Sequence, residues 1–218
     1  MESYKREFIR FLEDAGVLNF GDFTAKSGRK IPYFINAGDI KTGEQIATLG
    51  KFYAKAYAEH LGNKKSVLFG PAYKGIPIAV SAAVALAGSG LDVPFFFNRK
   101  EAKDHGEGGV LVGYVPKAGE EIVIVEDVIT AGTAIRESME ILSKLEGAKV
   151  AATLIMVDRK EKGKTELSAM KEIEQEFGFP VYSVVDVYDI IEYLEEDDKN
   201  AENVARIRNY LSVNGAAK

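Results

Sequence analysis

Ile122-Val-Ile-Val-Glu-Asp-Val-Ile-Thr-Ala-Gly-Thr-Ala134 is the stretch on which the reading of this chain turns. Its first four residues are apolar, which suits a short strand buried on both faces. Glu126 and Asp127 stand at the end of that strand, and Thr130-Ala-Gly-Thr133 opens a helix expected over about 131–145. Working outward, Ser66–Gly70, Val93–Asn98, Gly109–Tyr114, Val150–Val157 and Val181–Val185 read as further strands. An apolar helix from about Gly75 and another over Thr165–Phe177 fall between them. Strands alternating with helices at this spacing imply β-α-β units, hence an α/β fold with a central, mainly parallel sheet flanked by helices. Ligands in such sheets sit beyond the carboxyl ends of the strands. The strand exits are therefore where chemistry is expected.

The flanking segments have a different texture. Phe8, Ile9, Phe11 and Leu12 among charges suit an amphipathic helix over Glu2–Ala15. Asn19 to Gly43 is punctuated by Gly21, Gly28, Pro32 and Gly38, and reads as short strands and turns forming a small hood. Glu44–Leu61 is helical by pattern. The expected organisation is a hood segment over 1–43 and an α/β core over 44–218, compact as one domain. Asp186–Glu196 and Ala201–Leu211 read as closing helices, with Glu195-Glu-Asp-Asp198 a solvated turn between them.

Composition excludes several classes. The chain has 218 residues, 46% hydrophobic and 28% charged, which fits a soluble globular domain. Without cysteine there are no disulfides, thiolate zinc sites or cysteine nucleophiles. His60 and His105 are the only histidines, so a histidine-rich metal site has no basis. With 28 basic and 33 acidic residues the net charge is −5, against generic nucleic-acid or anionic-membrane binding. Met1–Arg10 lacks an apolar signal core, and Ile76–Gly88 is too short for a spanning helix. The expected location is the cytoplasm.

At the exit of the 122–125 strand, small residues and threonine hydroxyls at a helix start form an anion cradle. Two acids beside an anion cradle suit a phosphorylated sugar. The cradle takes the phosphate while Glu126 and Asp127 accept hydrogen bonds from adjacent ribose hydroxyls. The same residues also suit an ordinary capped helix with exposed acids. Neither GxxxxGK[ST] nor GxGxxG occurs in the chain.

As a whole the segment resembles the phosphoribosyl-pyrophosphate (PRPP) signature of the type I phosphoribosyltransferases. Phe23–Gly38, Gly70-Pro-Ala-Tyr-Lys-Gly75, Asn98–Gly109 and Asp158-Arg159 resemble the orotate-using branch of that family, in order, over about residues 20–160. The resemblance implies the type I fold with an N-terminal hood. It also implies transfer of phosphoribose from PRPP to orotate in pyrimidine synthesis, with Mg²⁺ held mainly by PRPP and water, and no protein metal ligand is named. The implied PRPP contacts are Lys26, Tyr73, Lys74, Arg99, Lys100, Lys103, His105, Glu126 and Asp127, and the loop Val128, Ile129, Thr130, Ala131, Gly132, Thr133 and Ala134. The implied orotate contacts are Phe34, Ile35, Thr130 and Arg159. Ile35 departs from relatives that carry a second phenylalanine there. A cis peptide between Ala72 and Tyr73 is implied as well.

Asn98–Gly109 combines Arg99, Lys100, Lys103 and His105 with three glycines near its end. It reads either as a solvated charged loop or as a lid whose cations close over pyrophosphate. By resemblance the lid reaches the neighbouring subunit's site, which implies a homodimer. Lys103, Lys74, Asp127 and Glu126 are the expected catalytic groups. No nucleophile or general base stands out, so catalysis would rest on positioning and electrostatics around an oxocarbenium-like transition state. A purine-base transferase and a non-catalytic PRPP-sensing regulator are the rivals. Residues 26–37 with Arg159 disfavour the first. The acidic charge balance disfavours the second.

Overall fold

A computed structural model of the chain describes residues 1–25, 28–103 and 109–216. Helix α1 (Ser3–Asp14) leads into the antiparallel hairpin of β1 (Leu18–Thr24) and β2 (Lys30–Ile35). A short 3-10 turn (Ala37–Asp39) precedes α2 (Gly43–Leu61). Thr42 starts α2 with a reciprocal cap, its Oγ1 accepting from the Gln45 N–H while the Gln45 side chain accepts from the Thr42 N–H. The rest of the chain runs β3 (Val67–Gly70), α3 (Gly75–Gly88), β4 (Phe95–Lys103), β5 (Gly109–Gly113), β6 (Glu121–Glu126) and α4 (Thr133–Leu142). It continues through β7 (Lys149–Asp158), α5 (Ala169–Phe177), β8 (Val181–Asp186), α6 (Val187–Leu194) and α7 (Ala201–Asn214).

Six strands form the main sheet in the order β5-β4-β3-β6-β7-β8. All its pairings are parallel except β4 with β5. The sequence reading holds for the parallel core. A mainly parallel sheet is what the sequence reading expected, and its one antiparallel pairing joins β4 to β5. Strand β4 continues to Lys103, so Arg99 and Lys100 ride on a strand end and not in a free loop. Helix α5 begins at Ala169, four residues later than its apolar pattern suggests. Ser168 caps it, with Oγ accepting from the Lys171 N–H, and Glu172 Oε1 ties Thr165 back as a turn.

Alternation along the strands gives each sheet face its own core. Leu68, Val123, Val125, Leu154 and Met156 face α1, α2, α3, α6 and α7. Val67, Phe69, Ile122, Ile124 and Ile155 face α4 and α5. The chain leaves β3 toward β4 on one side and returns to β6 on the other. That makes the gap between the exits of β3 and β6 the topological switch point, where open α/β sheets bind ligands.

Candidate active site

Three strand exits converge at the switch point. Strand β3 ends in Gly70, and the following turn runs Pro71-Ala-Tyr-Lys74 into α3. Glycine is required at both ends of this turn. A Cβ on Gly70 would stand 2.3 Å from the Gly75 carbonyl oxygen, and one on Gly75 would stand 2.9 Å from the Val125 carbonyl oxygen. The Ala72–Tyr73 peptide bond is cis, as the sequence comparison implied. The Ala72 N–H donates to Asn98 Oδ1 at 3.0 Å, which fixes the turn to β4. Tyr73 projects outward, 69% exposed, with Lys100 Nζ 5.7 Å from its ring centre.

Strand β6 delivers the two acids, and both are buried, contrary to the reading of exposed acids. The Asp127 N–H donates to Glu126 Oε1 at 3.0 Å and the Val128 N–H donates to Asp127 Oδ1 at 2.8 Å. Lys74 Nζ donates to Asp127 Oδ2 at 2.9 Å and lies 3.3 Å from Asn36 Oδ1. Burial, then the neighbouring Asp127 charge, pushes the Glu126 carboxyl up to about 8. From α2, the Tyr53 hydroxyl donates to the Glu126 carbonyl at 2.7 Å, and the Asp127 carbonyl accepts from the Met156 N–H at 2.8 Å. The acid pair is thus set by its backbone from two sides.

The loop after the acids is open to solvent at Thr130, Ala131, Thr133 and Ala134, while Gly132 is buried at φ +71°. Gly132 caps α4 without a side chain, so no side-chain oxygen covers the first N–H groups of the helix. Helix-start amides without a side-chain cap, beside the exposed Thr130 and Thr133, suit an anion. Arg136 Nη1 reaches back to the Ala131 carbonyl at 2.6 Å and its Nε pairs with Glu176, which stitches the loop to α5. Ile129 is buried in the core that faces α4 and α5, while half-buried Val128 packs against the core on the other sheet face.

The third exit, from β7, presents Asp158 and Arg159. Arg159 stacks over Tyr33 of β2 with its guanidinium carbon 5.4 Å from the ring centre. On the same hairpin Phe34 is 42% exposed and stacks on Phe23 at 5.5 Å, while Ile35 is half-buried. Arg99 Nη1 donates to the Gly109 carbonyl at 3.2 Å, closing the base of the β4–β5 pair. Lys26 and His105 lie outside the described residues. So does the side chain of Lys103, whose backbone ends β4.

Lys74 and Asp127 are thus joined directly, the 130–134 loop follows the acids in the chain, Lys100 lies by Tyr73, and Arg159 and Phe34 belong to the hood side. Sequence reading missed Asn36, Tyr53, Asn98 and Arg136, which hold these groups in place. Asn36 and Asn98 fall inside the motif segments, but nothing in a single sequence marks a tyrosine one helix away as their support.

Chemically, these strand exits offer helix-start amides suited to an anion, an acid pair suited to a diol, and the Lys74 and Lys100 cations suited to a second anionic group. A phosphoribosyl transferase domain model matches residues 36–185. The chain is 55% identical to an orotate phosphoribosyltransferase of Vibrio parahaemolyticus over 216 residues, 99% of this chain and all of that protein. It is 53% identical to one of Pseudomonas fluorescens, over 96% of this chain and 97% of that protein. A crystal structure of the Francisella tularensis orotate phosphoribosyltransferase superposes with a TM-score of 0.84 at 39% identity, over 96% of this chain and all of that one. With the domain matched and the identity sustained from end to end, this chain belongs to the orotate phosphoribosyltransferase family.

Proposed function

We propose that the chain transfers the 5-phosphoribosyl group of PRPP to the ring nitrogen of orotate, giving orotidine 5′-monophosphate and pyrophosphate. The observation that carries this reading is the buried Glu126–Asp127 pair beside the uncapped start of α4. In the proposed complex the 5′-phosphate rests on the amides and hydroxyls of Thr130–Ala134. The ribose hydroxyls donate to Glu126 and Asp127. Hydrogen bonds to charged acceptors contribute roughly 1.5–3 kcal/mol each.

Bond cleavage leaves positive charge on the anomeric carbon and negative charge on pyrophosphate. The ionised acids lie on the side of the developing cation. Lys74 moves from Asp127 to the departing pyrophosphate, joined by Lys100, Arg99 and the sequence-assigned Lys103 and His105. Lys26 is assigned to PRPP on the same ground. Arg159, Thr130, Phe34 and Ile35 receive the flat, carboxylated base, the guanidinium suiting its carboxylate and the aromatic face its ring.

Mg²⁺, when bound, offsets charge on the pyrophosphate oxygens. Among the described residues no cluster of three or more potential ligands exists. Two hard carboxylates beside a diol site fit an ion held chiefly by substrate and water. We further place the enzyme in the cytoplasm as a homodimer, with the 98–109 segment serving the neighbouring site. No described helix is long and apolar enough to cross a membrane.

The test follows ultraviolet absorbance of orotate on adding PRPP and Mg²⁺, with adenine and hypoxanthine in parallel. Loss of orotate absorbance that needs PRPP supports the proposal. Consumption of a purine instead, or of no base by folded protein, refutes it.

A further inference from the structure

Arg159 is not a free arm. Its side chain is 16% exposed, and both Nε and Nη2 donate to Oε1 of Glu161, at 3.0 and 2.6 Å. The Tyr33 hydroxyl donates to the same oxygen at 3.1 Å, while the Tyr33 ring lies under the guanidinium. The other carboxylate oxygen of Glu161 faces Arg29 Nη1 at 3.6 Å. Arg29 in turn donates to the Tyr210 hydroxyl at 3.4 Å, and the Tyr33 and Tyr210 rings meet edge to face. The backbone of this loop is pinned as well. Glu161 pairs with Gly215, the Lys162 N–H donates to the Asn214 carbonyl at 3.0 Å, and the Ala216 N–H donates to the Lys160 carbonyl at 2.8 Å. Glu161 is thus the junction of the β7 exit, the hood hairpin and the C-terminal tail.

A guanidinium has five N–H donors in a fixed fork. Glu161 takes the Nε–Nη2 edge of that fork and leaves the Nη1 donors and the second Nη2 hydrogen, the end of the fork, for another acceptor. An arginine already fixed by stacking and by one carboxylate loses less freedom when it grips a second.

We propose that Glu161 is the positioning residue for Arg159, holding it flat over Tyr33 so that the end of its fork meets the base in a preset orientation. The proposal rests on the reading that Arg159 contacts the pyrimidine. It assigns no substrate contact to Glu161 itself.

The test is steady-state kinetics on Glu161→Gln, Tyr33→Phe and Arg159→Lys, each checked for folding by thermal melting. Glu161→Gln should raise the orotate KM about tenfold, the loss of one charge-assisted hydrogen bond. The PRPP KM and kcat should stay within about twofold, and Glu161→Asp should recover part of the loss. Tyr33→Phe keeps the ring and removes one tie to Glu161, so it should shift the orotate KM in the same direction by less. If Arg159→Lys raises the orotate KM while Glu161→Gln and Tyr33→Phe do not, the positioning role is wrong and the base-contact reading stands. If none of the three moves the orotate KM, the base-contact reading itself fails. A lower orotate KM in Glu161→Gln would make Glu161 a competitor for Arg159 and overturn the proposal.

Discussion

Glu126→Gln isolates the electrostatic work done at the acid pair. In the free protein burial and the Asp127 charge raise the Glu126 carboxyl from 4.5 to about 8. At about 1.4 kcal/mol per pH step, ionising it there costs about 5 kcal/mol relative to an unburied glutamate. Burial therefore favours retention of this proton in the free protein toward neutral pH. A ribose diol needs acceptors, and the developing cation needs negative charge, so PRPP binding should expel it. Calorimetric titration of PRPP into wild type, in buffers of different ionisation enthalpy, should show more protons released than titration into Glu126→Gln. The variant serves as the blank for protons lost by PRPP itself. The sign on stability runs the other way from a salt-bridged acid. Between pH 4.5 and 8 the folded state binds this proton more tightly than the unfolded state, so its favourable contribution is present at low pH and lost as pH rises through about 8. Glu126→Gln should therefore stabilise the free protein more at pH 8.5 than at pH 5. Equal proton release in both proteins, with parallel melting profiles, would refute this account of the pair.

Lys74→Ala should weaken PRPP binding about tenfold or more while costing at most about 1 kcal/mol of stability, because its pair with Asp127 is half exposed at the lysine; ligand titration and melting separate the two. Gly132→Ala forces a side chain into a left-handed position and places its Cβ 2.8 Å from Ile173 Cδ1. A loss of about 1–2 kcal/mol is expected, with weaker PRPP binding, and an unchanged melting temperature would contradict it. Tyr53→Phe removes the buried donor to the Glu126 carbonyl and should cost about 1–2 kcal/mol in chemical denaturation, with a lowered kcat. Lys103→Ala should lower turnover strongly while equilibrium PRPP binding persists, and unchanged turnover would remove the lid cation from the mechanism.

Much of this site was legible because strand-exit chemistry is local in sequence. The apolar run, the acids and the small Thr/Gly loop sit within thirteen consecutive residues, and their types state what they can bind. Burial of the acids was not legible. It arises from packing β6 between β3 and β7 and from Tyr53, which lies far away in the chain. Likewise Arg159 could be read as a cation, but its fixation by Glu161 and Tyr33 depends on the hood folding back onto the β7 exit. The extension of β4 through the charged stretch 99–103 was not legible, because pairing with β5 maintains a strand that the charge pattern does not announce. The apolar pattern that suggested an early start to α5 yielded to a serine cap.

A crystal of this protein soaked with PRPP is the most direct test of the central claim. Both ribose hydroxyls should lie within hydrogen-bond distance of the Glu126 and Asp127 carboxylates, with the 5′-phosphate on the 130–134 amides. A sugar bound elsewhere, with Lys74 still on Asp127 and the loop amides unoccupied, would contradict it.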